Sequence, residues 1–93
     1  SSNEAHAWGI VNKLVPTVDD LDAAVKEYTD KYIQSAPVAM RLLKKMLNKG
    51  MTASLREMLQ YEAYCQEIAG STEDYKEGVN AFVEKRKAVF TGK

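Results

Sequence analysis

The sequence predicts an all-α fold of three to four amphipathic helices. Three observations carry that expectation. Apolar residues recur three and four positions apart through most of the chain, the spacing that puts them on one helical face. The two prolines and five glycines fall where helices should begin or end. No segment alternates apolar and polar residues long enough to form a half-buried strand.

Residues 4–9, Glu4-Ala5-His6-Ala7-Trp8-Gly9, read as the last turn of a helix closed by a glycine cap. Ile10-Val11-Asn12-Lys13-Leu14-Val15 is short and partly β-branched, and Pro16 ends it. It is expected to be an extended connector, because a lone strand would have no partner. Thr17 is a good N-cap, with Asp19 and Asp20 placed for the positive end of the helix dipole. Leu21, Val25, Tyr28 and Tyr32 then mark a helix to about Ser35. Ser35 is expected to cap the next helix, with Pro37 in its first turn. Its apolar face is Val38, Ala39, Leu42, Leu43, Met46 and Leu47, and Gly50 should stop it.

Ser54 and Glu57 have the spacing of a capping box and open a third helix. Leu55, Met58, Leu59, Ala63, Cys65 and Ile68 form its apolar positions before Gly70. Ser71 or Thr72 caps the last helix, whose first turn holds Glu73 and Asp74. Tyr75, Val79, Phe82, Val83, Val89 and Phe90 are expected to point inward, with Lys85, Arg86 and Lys87 near its negative end. Roughly a dozen medium or large side chains could be buried this way. Tyr61, Tyr64, Met40 and Met51 fall off the named faces, so part of this surface should meet another domain or chain.

Composition narrows the function. A chain of 93 residues with 45% apolar content suits one globular domain. Lys plus Arg and Asp plus Glu both number 13, and a net charge of zero argues against bulk nucleic-acid binding. No apolar run approaches the ~20 residues that span a bilayer, and no signal peptide is evident. With one cysteine there is no internal disulfide, and a cytoplasmic location is the expectation.

Several residues invite sharper readings. His6, the only histidine, has no Cys or His partner at metal-ligand spacing, so no metal site is expected. Cys65 sits on an apolar face and reads as a buried thiol. Glu57, Glu62, Glu67, Glu73 and Glu77 could serve as acid–base groups. Nothing supplies the burial that catalytic tuning needs, and surface charge or capping is the better reading. The strip Arg41, Lys44, Lys45 and Lys49 could bind phosphate, but a solvated face opposite the core accounts for it.

Two segments carry a family likeness. Glu4-Ala5-His6-Ala7-Trp8-Gly9-Ile10-Val11-Asn12-Lys13-Leu14-Val15-Pro16 is similar to the "EA…GLVNKVVP" passage of the crotonase (enoyl-CoA hydratase/isomerase) family. Glu77-Gly78-Val79-Asn80-Ala81-Phe82-Val83-Glu84-Lys85-Arg86-Lys87 resembles that family's closing "EG…AFVEKRK" helix. Ser35-Ala36-Pro37 and the Lys-rich helix between them fit the same pattern.

The resemblance implies the C-terminal helical, oligomerisation domain of a crotonase-like protein. Residues 1–16 would end the connector from an N-terminal spiral domain, and residues 17–93 would form the helical domain. Family members assemble as trimers or hexamers, hydrate or isomerise enoyl-CoA thioesters, and use peptide N–H groups and glutamates that would lie upstream of residue 1. No catalytic residue is therefore assigned, and a fragment alone is expected to be inactive. No cofactor is implied beyond acyl-CoA as the parent's substrate. Phe82 and Lys85 match positions that meet the CoA of a neighbouring subunit. Core packing would equally explain Phe82, and a solvated charge Lys85. Trp8 could lie near the acyl side of the parent's pocket, although packing explains it too. The competing reading is an independent helical interaction module with no relation to CoA, or a parent with another crotonase activity such as isomerisation.

Overall fold

A computed structural model describes residues 1–93 as five α-helices without a strand. They are α1 (Ser2–Ala7), α2 (Leu21–Ile33), α3 (Pro37–Gly50), α4 (Leu55–Gly70) and α5 (Glu73–Val83). The chain forms two compact units, Ser1–Ile33 and Gln34–Lys93. The all-helical class is as the sequence predicts. The added element is α1, a short helix where only a final turn was expected.

In the first unit, Ser1 and Glu4 make a reciprocal capping box at the start of α1. Its end is a Schellman turn: Gly9 N–H donates to the His6 carbonyl at 3.0 Å and Ile10 N–H to the Ala5 carbonyl at 2.9 Å. Gly9 has φ +75°, the left-handed conformation that a residue without Cβ enters freely. Residues 10–16 form no helix or strand, but they are not extended throughout as expected, since residues 10–12 and 16 bend. Thr17 does not cap α2. Instead Asp20 turns its carboxylate back onto Thr17, accepting from its Oγ1 at 2.6 Å and its N–H at 3.2 Å. This local side-chain closure competes with helix, and α2 begins three residues later than the pattern suggested. Glu27 accepts from both Lys13 of the connector and Lys31 one turn on. Lys13 in particular holds the Glu27 carboxyl down to about 2.

In the second unit, α3 packs on α4 and α4 on α5. Ala36, not Ser35, is the N-cap of α3, and Pro37 takes the first helical position, where its missing N–H costs nothing. Ser54 and Glu57 cap α4 in both directions, and Thr72 caps α5 by accepting from Tyr75 N–H at 3.1 Å. Lys49 lies 5.4 Å from the Tyr61 ring centre, tying the end of α3 to α4.

Two expectations fail here. The last helix does not continue to Phe90 but ends at Val83. Nor is a dozen-residue core formed: Leu42, Cys65 and Ala81 are the buried apolar residues. Tyr75, Val79, Phe82, Val83 and Val89, expected inside, are exposed. Tyr75, Val79, Phe82 and Val83 lie on α5 at helical spacing, but their exposed surface has no partner within the chain, and Val89 lies beyond the helix in the tail.

Candidate functional site

The end of α5 and the tail behind it bring together the second unit's most elaborate polar network. Lys85 N–H donates to the Phe82 carbonyl at 3.3 Å and Arg86 N–H to the Ala81 carbonyl at 3.0 Å. This is the same Schellman pattern as at Gly9, yet the left-handed position is filled by a lysine, at φ +55°. A side chain in that region suffers Cβ crowding that glycine escapes, at about 1 kcal/mol.

Beyond the turn, the tail is held by two carboxylates on successive turns of α5. Arg86 grips Glu77 with a two-pronged contact, Nη1 to Oε1 at 2.6 Å and Nη2 to Oε2 at 2.8 Å. Its Nε reaches Glu84 Oε2 at 2.6 Å. Glu77 Oε1 also accepts from Val89 N–H at 2.8 Å. The Arg86 guanidinium, followed by that backbone N–H, holds the Glu77 carboxyl down to about 2. One turn earlier, Asp74 is 3% exposed and accepts from Thr91 N–H at 2.7 Å and Gly92 N–H at 2.8 Å. The Asp74 N–H donates to the Lys93 carbonyl at 3.1 Å. Residues 88–93 thus run back along α5, setting the Phe90 ring 3.6 Å from where a Cβ would stand on Gly78.

Phe82 and Lys85 stand at this turn. Phe82 is 85% exposed, so packing inside this chain does not account for it. Its ring borders an open apolar groove of about 370 Å³ lined also by Ala39, Tyr75, Val79 and Phe90. Lys85 is exposed. A free ring over an apolar groove, with a cation one turn on, can hold an amphipathic anion. It has no paired acid and base and no array of N–H donors with which to act on one.

The other candidates are dispersed. His6 is exposed on α1, and no group of three His, Cys, Asp or Glu side chains could hold a metal. Cys65 is buried and unpaired. Arg41, Lys44, Lys45 and Lys49 are exposed on α3. Trp8 is the C-cap residue of α1 and exposed. Asp74 and Arg86 escaped notice as site residues because each contacts chain beyond the reach of i, i+4 spacing.

The sequence profile of the enoyl-CoA hydratase/isomerase family matches residues 1–93, the whole chain. The chain belongs to that family. Among similar proteins, the short-chain-enoyl-CoA hydratase of Clostridium acetobutylicum is 38% identical over 86 residues, 92% of this chain and 33% of that protein. The 1,2-epoxyphenylacetyl-CoA isomerase of Escherichia coli is 34% identical over 94 residues, 100% of this chain and 35% of its own length. An enoyl-CoA hydratase crystal structure from Bacillus anthracis superposes with a TM-score of 0.90 at 34% identity, covering 100% of this chain and 36% of that one. The chain therefore spans about a third of the length of the hydratase/isomerase relatives it matches. No helix is long and apolar enough to cross a membrane.

Proposed function

We propose that this chain is the assembly and CoA-closing region of an enoyl-CoA hydratase-like protein. Its helices would pack on an N-terminal spiral domain and on neighbouring subunits of a trimer or hexamer. The observation that carries this reading is the pairing of a family match along the whole chain with coverage of only about a third of its relatives. The exposed apolar face of α5 supports it, since such a face is stable only when covered. The independent interaction module finds no comparable support.

The proposed parent reaction is reversible hydration of a short-chain 2-enoyl-CoA to the 3-hydroxyacyl-CoA. Relatives named as short-chain-enoyl-CoA and crotonyl-CoA hydratases support that choice. Phe82 and Lys85 are proposed to meet acyl-CoA, the ring packing on an apolar part and the ammonium reaching a phosphate. No residue of this chain is proposed to act on the thioester. The buried single thiol supports a cytoplasmic setting.

The test is direct. The purified 93-residue chain should show no hydration of crotonyl-CoA, because the oxyanion-stabilising donors such chemistry needs would belong to the parent's N-terminal spiral domain. Measurable turnover by this chain alone overturns the reading.

A further inference from the structure

We propose that Glu77 is a positioning residue for Lys85, acting through Arg86. Lys85 occupies a backbone conformation that an L-residue avoids, φ +55°, and something must hold it there. The turn's own hydrogen bonds are ordinary: 3.3 Å from Lys85 N–H to Phe82 and 3.0 Å from Arg86 N–H to Ala81. The unusual feature is the residue directly after Lys85. Arg86 is clamped by both oxygens of Glu77, at 2.6 and 2.8 Å, and by Glu84 on the other side of Lys85 at 2.6 Å. The guanidinium is planar and its two prongs fix direction as well as distance. Residues 84 and 86 are thereby tied together, and the residue between them is committed to the left-handed well. Glu77 also accepts from Val89 N–H at 2.8 Å, so the exit of the turn is fixed by the same carboxylate. The result is that Lys85 leaves the helix end beside Phe82 at a set angle; for the role of that pair toward acyl-CoA, the inference rests on the proposed function.

The test uses the whole chain in four forms: unaltered, Lys85→Ala, Glu77→Gln, and the double variant. Glutamine keeps the side chain's shape and its acceptor for Val89 but loses the ionic fork. Two readouts are taken, the Cα and Cβ chemical shifts of residue 85 and the affinity for coenzyme A. In Glu77→Gln the Lys85 shifts should leave their left-handed values while those of α3 and α4 stay. Coenzyme A affinity should fall about tenfold, as on losing one charge-assisted contact. The double variant should bind no more weakly than Lys85→Ala, because Glu77 acts only through Lys85. Lys85 shifts that remain left-handed in Glu77→Gln overturn the positioning role, as does a double variant showing additive losses. An unaltered chain with no coenzyme A affinity, or a Lys85→Ala variant that loses none, overturns the ligand reading instead, and the shifts still decide the positioning role. If Glu77→Gln does not fold, Arg86→Lys removes the same fork and is read by the same shifts.

Discussion

At Lys85 the chain keeps a conformation it could have relaxed with glycine, as it does at Gly9. Lys85→Gly is therefore expected to stabilise the fold by about 0.5–1 kcal/mol. A thermal melt should move up by a few degrees, and an unchanged or lower midpoint contradicts the strain argument. Asp74 is the opposite case, a nearly buried carboxylate whose oxygens satisfy two backbone N–H groups of the tail. Asp74→Ala should cost about 2–3 kcal/mol in denaturant unfolding, since it strands those donors. Glu77 makes the tail sensitive to acid. Its folded carboxyl is held down to about 2, whereas an unfolded glutamate titrates near about 4.3. A depressed folded value means the contribution is complete above the unfolded value and disappears as pH falls towards the folded one. The Val89 amide resonance should thus hold steady from neutrality to about pH 4.5 and move only between about pH 4 and 2.

Helix starts were legible where the cap is an agreement among three or four neighbouring residues, as for α4 and α5, and not for α2 or for α3, which Ala36 caps in place of Ser35. Ser54 with Glu57 behaves as its spacing promised, and of the two cap candidates Ser71 and Thr72 it is Thr72 that caps α5. Ser54→Ala should destabilise by about 1 kcal/mol, seen as a lower denaturant midpoint with an unchanged slope. Two element ends were not legible. At Thr17 the same residue types can cap a helix or close a turn, and Asp20 chose the turn. At Val83 nothing in Glu84-Lys85-Arg86-Lys87 breaks a helix; the end is imposed by Arg86 reaching nine residues back to Glu77. Inside α5, Gly78 is a helical glycine whose absent Cβ would meet the Phe90 ring at an ordinary 3.6 Å. Gly78→Ala should therefore raise stability by up to about 1 kcal/mol, with a clash at Phe90 as the alternative that a lower melting point would reveal.

For the molecule as a whole, periodicity located the apolar faces but not their destinations. Leu42 and Cys65 went inside, while Val79 and Phe82, equally apolar and equally in phase, stayed in water. Sequence spacing cannot separate these cases, because it reports which residues share a face and not what the face touches. The candidate site was half legible for the same reason: Phe82 and Lys85 came from a family likeness, whereas the clamp on them required the tail's path. An uncovered face of this kind predicts self-association of the chain. Sedimentation should show species larger than a monomer, and Phe82→Glu should shift the distribution downwards; a monodisperse monomer before substitution contradicts this.

The fastening of the tail has a practical corollary for anyone trimming or extending the chain. Segments without regular structure at a terminus are usually treated as dispensable, yet Thr91 and Gly92 supply the hydrogen bonds that the Asp74 carboxylate accepts. Clipping Thr91, Gly92 and Lys93 would remove those donors and unfasten the tail from α5, so an affinity tag belongs at the opposite end.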